Sequence, residues 1–253
     1  MIILEKWYGR LGNNIIELSN IIDIALFYKH NIQFKVSHKL FDLKIIHDYF
    51  CQYSNNEILR DVNNFFYQQR LPFPKEVFNN NNPIKIHLLK QAFLVKDINK
   101  LDEDDVVIHI RSGDIFKKKP HRIYAPPPLA FYEHILDKHE YKNIIILCED
   151  MVNPVINELL QIYENSTYCK NTLQDDIRIL LGATNVISSV GTFVPSLLLL
   201  SEYVKYHYSI HFTEPQLRGY YLDMIPWRNT PSQRSYILNY RIPESFDISP
   251  KTF

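Results

Sequence analysis

The chain has 253 residues, 46% of them apolar and 22% charged, a balance expected of a globular protein and far from disordered or collagen-like compositions. Lys plus Arg and Asp plus Glu each number 28, so nothing supports a nucleic-acid partner, and an anionic ligand must be met by local charge. The odd set Cys51, Cys148 and Cys169 offers neither a disulfide framework nor C-x-x-C zinc spacing, and no apolar run approaches the ~20 residues of a membrane span.

The opening MIILEKWYGR is too quickly polar for a signal peptide, which makes a soluble, cytoplasmic enzyme of bacterial or viral type the expectation. Residues 1–5 predict a buried strand. GRLGNN (9–14) then predicts a Gly-rich turn, and Ile15, Leu18, Ile22 and Ala25 fall on one face of a helix over 15–28. Glycines in such a turn let backbone approach a ligand, while Asn13 and Asn14 donate and accept without charge. A helix cap made by Asn explains the turn equally well. IQFKV (32–36) reads as a strand, 39–50 as a helix, NNNNP (79–83) as a loop and KIHLL (85–89) as another strand. The junction between two halves is placed near DEDD (102–105), giving domains 1–104 and 105–253.

Beyond it, strand-length apolar runs alternate with amphipathic helices as in a parallel sheet: VVIHI (106–110), a helix over 129–139, NIIIL (143–147), helices over 153–163 and 173–181, NVIS (185–188), a helix over 193–202, and YVKYHY (203–208). From Pro215 onward the tail is rich in aromatics and prolines, with no assigned structure but free to pack back on the first half.

HIRSGD (109–114) sits at the end of its predicted strand, where open α/β sheets bind ligands. Arg111 presents a planar fork of donors that matches phosphate oxygens, and Asp114 either orients it or accepts from a sugar hydroxyl. The competing explanation is a strand-end ion pair. Downstream, Thr172 and Asp175 have capping-box spacing; Leu173, Ile177, Leu180 and Leu181 make the buried stripe, with Asp175 solvated opposite and Asp176 at the margin. Ser188, Ser189, Gly191 and Thr192 then form a hydroxyl-rich turn that offers N–H groups to an anion, or simply caps the next helix.

Taken together, GRLGNN, HIRSGD, the PPPLAFY segment (126–132) and Asp176 through Phe193 resemble the fucosyltransferase-like glycosyltransferase superfamily, which includes bacterial α-1,2-fucosyltransferases and protein O-fucosyltransferases. The resemblance spans Gly9 to Ser201. It implies a compact GT-B fold, two Rossmann-like α/β/α domains with a cleft between them, acting on a nucleotide-sugar donor and a glycan acceptor with no metal or other cofactor. Residue by residue it implies that Arg111 binds the β-phosphate together with Ser189, Gly191, Thr192 and Phe193. His109 and Asp176 would lie near the base, Arg10, Gly12 and Asn14 on the donor side, and Asn13 facing the reacting sugar. The expected reaction is transfer with inversion, with L-fucose from GDP-fucose the first donor and UDP-xylose the alternative; a silent carbohydrate- or nucleotide-binding module is the alternative from another class. For the general base His121, Glu149 and Asp150 compete. All of this requires the Arg111 guanidinium to meet the Thr192 turn rather than to face inward against Asp114 alone.

Overall fold

Ile2–Leu4 (β1) opens the chain in a computed structural model that describes residues 1–54, 57–61, 65–68, 73–210, 218–243 and 248–253. The start of the tail at Pro215 lies outside these. Packing divides the chain into two units, residues 1–97 with 195–200, and residues 98–194 with 201–253.

In the first unit β1 is followed by α1 (Leu11–Tyr28), β2 (Ile32–Phe34), α2 (Leu43–Phe50), β3 (Leu59–Arg60), α3 (Phe65–Gln68) and α4 (Pro83–Ala92). The strands form a parallel sheet in the order β2-β1-β3. The predicted stripe of α1 is buried, but so are Asn14, Glu17, Ser19, Asn20 and Asp23 around its other sides. A helix enclosed on most sides must satisfy those groups internally. Asn20 does so through the Phe66 carbonyl at 2.5 Å, and Asp23 through an ion pair with Lys85 at 2.7 Å.

Three expectations are corrected here. GRLGNN is less a turn than a helix start, because α1 begins at Leu11 and takes Gly12, Asn13 and Asn14 into its first turn. KIHLL is helical: Asn82 accepts from the N–H groups of Ile84 and Lys85, Pro83 fills a first-turn position, and the buried Lys85, Leu88, Leu89 and Ala92 recur at helical spacing. α2 starts only at Leu43, where Asp42 caps it by accepting from the Lys44 N–H at 3.1 Å.

Glu17 is fully buried, and one carboxylate oxygen accepts from the Tyr8 N–H at 3.1 Å while the other has no partner among the described residues. Burial pushes its pKa up to about 7, with the Tyr8 bond opposing and Asp61 reinforcing the rise. Because the folded state holds this proton more tightly than the unfolded chain, stability is full below the unfolded value and declines as pH rises through the window up to about 7. The decline is on the order of 3 kcal/mol. Glu17→Gln keeps an acceptor for Tyr8 without a titrating charge, so its melting temperature should fall less than wild type's between pH 5 and 8.

The second unit contains β4 (Asp105–His109), α5 (Leu129–Leu136), β5 (Asn143–Leu147), α6 (Pro154–Ile162), β6 (Ser166–Cys169), α7 (Leu173–Gly182), β7 (Asn185–Ser188), the start of α8 (Phe193–Leu197), β8 (Tyr206–Ser209), α9 (Arg218–Met224), α10 (Pro231–Asn239) and β9 (Lys251–Thr252). Its sheet runs β6-β5-β4-β7-β8-β9, parallel except for β9. Val106, Ile108, Ile144, Ile146 and Ile187 pack with α5, α6 and the tail in one core around Tyr132, Tyr220 and Trp227. β6 was not anticipated, and the helix predicted over 193–202 ends as α8 with a 3-10 turn over Leu198–Leu200. Leu173, placed in the buried stripe of α7, is 51% exposed at the helix's first position, whereas Ile177, Leu180 and Leu181 are buried as expected.

The tail has a clear task in this unit. The Trp227 indole donates to the Ile115 carbonyl at 2.7 Å, Asn229 to the Phe116 carbonyl at 2.6 Å, and the Tyr220 hydroxyl to the Pro126 carbonyl at 2.5 Å. These bonds fix the long segment between HIRSGD and α5.

Candidate diphosphate site

Chain order β4, β5, β6 runs outward on one side of β4, and β7, β8 continue on the other, so the direction of winding reverses between β4 and β7. A parallel sheet leaves a crevice at such a reversal, outside the carboxyl ends of the two strands. His109 pairs in register with Ser188, and the Ser189 N–H donates to the His109 carbonyl at 3.0 Å. HIRSGD and the turn Ser188–Thr192 therefore lie side by side at the carboxyl ends of β4 and β7, where such a crevice is expected.

Arg111 follows β4 by two residues. Its Nε and Nη2 donate to the two oxygens of Asp114 at 3.0 and 2.7 Å, and its guanidinium lies over the Tyr124 ring at 4.3 Å. The side chain is 23% exposed. Burial works against the charge, but Asp114 and Tyr124 outweigh it and hold the cation more firmly than a free arginine. The competing ion-pair explanation is thus real, since Asp114 takes one whole edge of the fork. The remaining corner faces the other strand: a Cβ added to Gly191 would stand 2.7 Å from Nη1. Gly191 has φ +120°, a conformation that any side chain would strain, so glycine here both shapes the turn and leaves room for the guanidinium. Arg111 is oriented by its carboxylate and directed at the turn.

The loop beneath Arg111 is latched from α6. Ser112 is fully buried; its hydroxyl donates to Asp150 and accepts from the Asn153 N–H at 3.0 Å, while the Asn153 amide donates to the Arg111 carbonyl at 3.0 Å. Asp150 also accepts from the Val152 N–H at 3.0 Å. These bonds tie Asp150 to the loop that carries Arg111. His121 is exposed, with its ring 4.5 Å from that of Tyr124.

His109 packs against Phe193 at 5.2 Å. Burial, reinforced by Arg111, lowers its pKa to about 4, so the imidazole is neutral at physiological pH and offers one donor and one acceptor. Behind the turn the Ser188 hydroxyl is tied to His207 Nε2 at 2.7 Å. Ser189 is buried, and Thr192 is half-buried beside Gly191. Asp176 lies one turn into α7, half-buried, accepting from the Asn171 amide at 3.2 Å. Burial raises its pKa, opposed by that hydrogen bond and supported by Asp175. Asp175 itself has a half-exposed side chain bonded to Thr172 and Arg178, as its capping position implies.

Arg10, Gly12, Asn13 and Asn14 belong to the first unit. Arg10 is exposed at the N-cap of α1. Gly12 is buried in the helix, Asn13 packs on Gly9, and the buried Asn14 donates to the Tyr8 carbonyl at 3.0 Å and meets His38 Nε2 at 3.4 Å. Tyr124, Ser112 and Asn153 were missed from sequence. For Asn153 a signal existed, because Asn-Pro ahead of an apolar periodic run marks a helix start.

No family model and no curated protein matches this sequence. Among solved structures, a crystal structure of POFUT1 in complex with GDP is similar over 80% of this chain and 96% of that chain, at 11% identity and a TM-score of 0.42. No helix among the described residues is long and apolar enough to cross a membrane.

Proposed function

We propose that the chain is a glycosyltransferase that binds the diphosphate of a nucleotide-sugar donor where Arg111 packs beside the Ser189–Thr192 turn and transfers the sugar, with inversion, to a glycan hydroxyl. One observation carries this reading. The cation that a phosphate needs stands at the point where the sheet reverses its winding, oriented by Asp114 and directed at Gly191. A diphosphate held there gains a charge-assisted hydrogen bond from the corner of Arg111 that Asp114 leaves open, and uncharged donors from the adjoining turn. As the bond to the sugar breaks, negative charge collects on the departing phosphate, and donors already in place stabilise it without rearranging.

In this proposal Arg111 supplies the neutralising charge that a metal ion supplies elsewhere. GDP-fucose is the donor put forward, with Asp176 accepting two N–H bonds from a guanine edge, which uracil does not offer in the same way. His121, in contact with Tyr124, is the base put forward, with Glu149 its rival and Asp150 already bonded within its loop. Asn13 keeps the acceptor-side role that the resemblance implies.

The test is nucleotide release from GDP-fucose, UDP-xylose and dTDP-sugars by the purified protein, with and without EDTA, alongside thermal shifts with GDP and UDP. GDP release that survives EDTA, with a higher melting temperature in GDP than in UDP, is the expected result; a ligand at about 100 times its Kd stabilises by about 2.7 kcal/mol. Binding without any release would favour the silent module. Neither binding nor release would end the proposal.

A further inference from the structure

We infer that Glu149 reads the ribose of the bound nucleotide, so that the donor is a ribonucleoside diphosphate sugar rather than a 2′-deoxy one; this rests on the diphosphate site proposed above. The inference comes from the register of the sheet. Ser188, His109, Leu147 and Cys169 are paired in one row across β7, β4, β5 and β6. Two residues past that row, in the loops that leave the strands, come Arg111 after β4, Glu149 after β5 and Asn171 after β6. Adjacent strands lie roughly 4.8 Å apart, so the ends of β4, β5 and β6, from which these loops depart, span about 10 Å in two steps.

A phosphate at the β4–β7 crevice thus has a carboxylate one strand over and the Asn171–Asp176 pair two strands over, which is the order diphosphate, sugar, base. In doubly wound dinucleotide-binding sheets the strand next to the phosphate strand carries the acid that accepts from ribose hydroxyls. Glu149 occupies that place.

The two acids after β5 differ in a way that selects one of them. Asp150 accepts from Ser112 and Val152 and lies within 3.5 Å of the Gly113 N–H. Glu149 is exposed, and its carboxylate accepts no hydrogen bond among the described residues. It rests over Gly113, whose φ is +29° and whose missing side chain leaves the space that the carboxylate fills. That contact keeps an exposed glutamate against the loop carrying Arg111. An ionised carboxylate only accepts, so it suits a pair of vicinal hydroxyls and repels further phosphate.

Equilibrium affinities of wild type for GDP and dGDP, and for UDP and dUDP, test the inference without any substitution. Whichever base binds, the ribo form should bind about tenfold or more tightly than its 2′-deoxy partner, as expected for a hydrogen bond to a charged group. In Glu149→Ala that ratio should collapse toward one, mainly by loss of ribonucleotide affinity. Equal binding of GDP and dGDP by wild type overturns the inference while leaving the diphosphate site intact. So does a ratio preserved in Glu149→Ala, or a loss of kcat at saturating donor with the ratio unchanged, which would make Glu149 the base. Absence of binding to all four nucleotides overturns the site and the inference together.

Discussion

Arg111→Ala protein is expected to fold normally and to transfer sugar on the order of a hundredfold or more slowly than wild type, with the loss in kcat exceeding that in KM. The fold should survive because Arg111 is part-exposed and its loop is held from below without its side chain, by the Asn153 amide on the Arg111 carbonyl and by Ser112 bonded to Asp150 and the Asn153 N–H. The rate should not survive, because charge on the departing diphosphate grows toward the transition state and the guanidinium that Asp114 and Tyr124 hold at this site is removed. Arg111→Lys keeps a charge but not the fork: a lysine cannot hold Asp114 with two bonds and still direct a donor at Gly191. Its rate should fall between the other two. Steady-state kinetics with the donor identified by nucleotide release, on protein checked by circular dichroism, decide the matter; a wild-type kcat in Arg111→Ala would show that the Asp114 pair is merely a strand-end bridge.

How far sequence carried the description follows from where the determinants lie. The strands of the second unit were legible because a strand buried on both faces is an unbroken apolar run, as in VVIHI and NIIIL. The crevice was legible in part, since a strand ending in His-x-Arg and a Ser/Gly/Thr turn are local features. Their adjacency was not, because it depends on which strand pairs with β4 and hence on the order of the whole sheet. β6 went unseen for a related reason: STYC is an outer strand, polar and only partly buried, with no run to betray it. KIHLL misled because so short a segment, with Ile86, Leu88 and Leu89 apolar, fits both periods, and the helix was encoded in its surroundings, by Asn82 and Pro83 before it and Ala92 after. The tail was opaque because Trp227, Asn229 and Tyr220 act on partners about a hundred residues away, and nothing in their own neighbourhood names those partners.

Lys85 poses the complementary case, a cation whose surroundings mark it as structural, and its removal should be the most destabilising single change in the first unit. Lys85 and Asp23 are each 1% exposed, joined at 2.7 Å, with Lys85 Nζ also donating to the Asn79 carbonyl at 2.5 Å and Asp23 accepting from the Asn79 N–H at 3.2 Å. The second Asp23 oxygen is buried with no partner among the described residues, so the carboxylate already depends heavily on this one cation. Unlike Arg111, Lys85 is closed in by groups it already bonds. Lys85→Ala leaves a carboxylate uncompensated in the interior, and urea unfolding should report a loss of about 3–5 kcal/mol. The buried pair as such need not contribute much, because desolvating two charges offsets most of their attraction. Asp23→Leu combined with Lys85→Met should therefore recover most of the loss, although the Asn79 backbone groups lose their partners and keep the recovery incomplete. If Lys85→Ala unfolds within 1 kcal/mol of wild type, or the double substitution is no better than the single one, then Asp23 is neutral in the fold and the pair is not what holds the Asn-rich loop to α1.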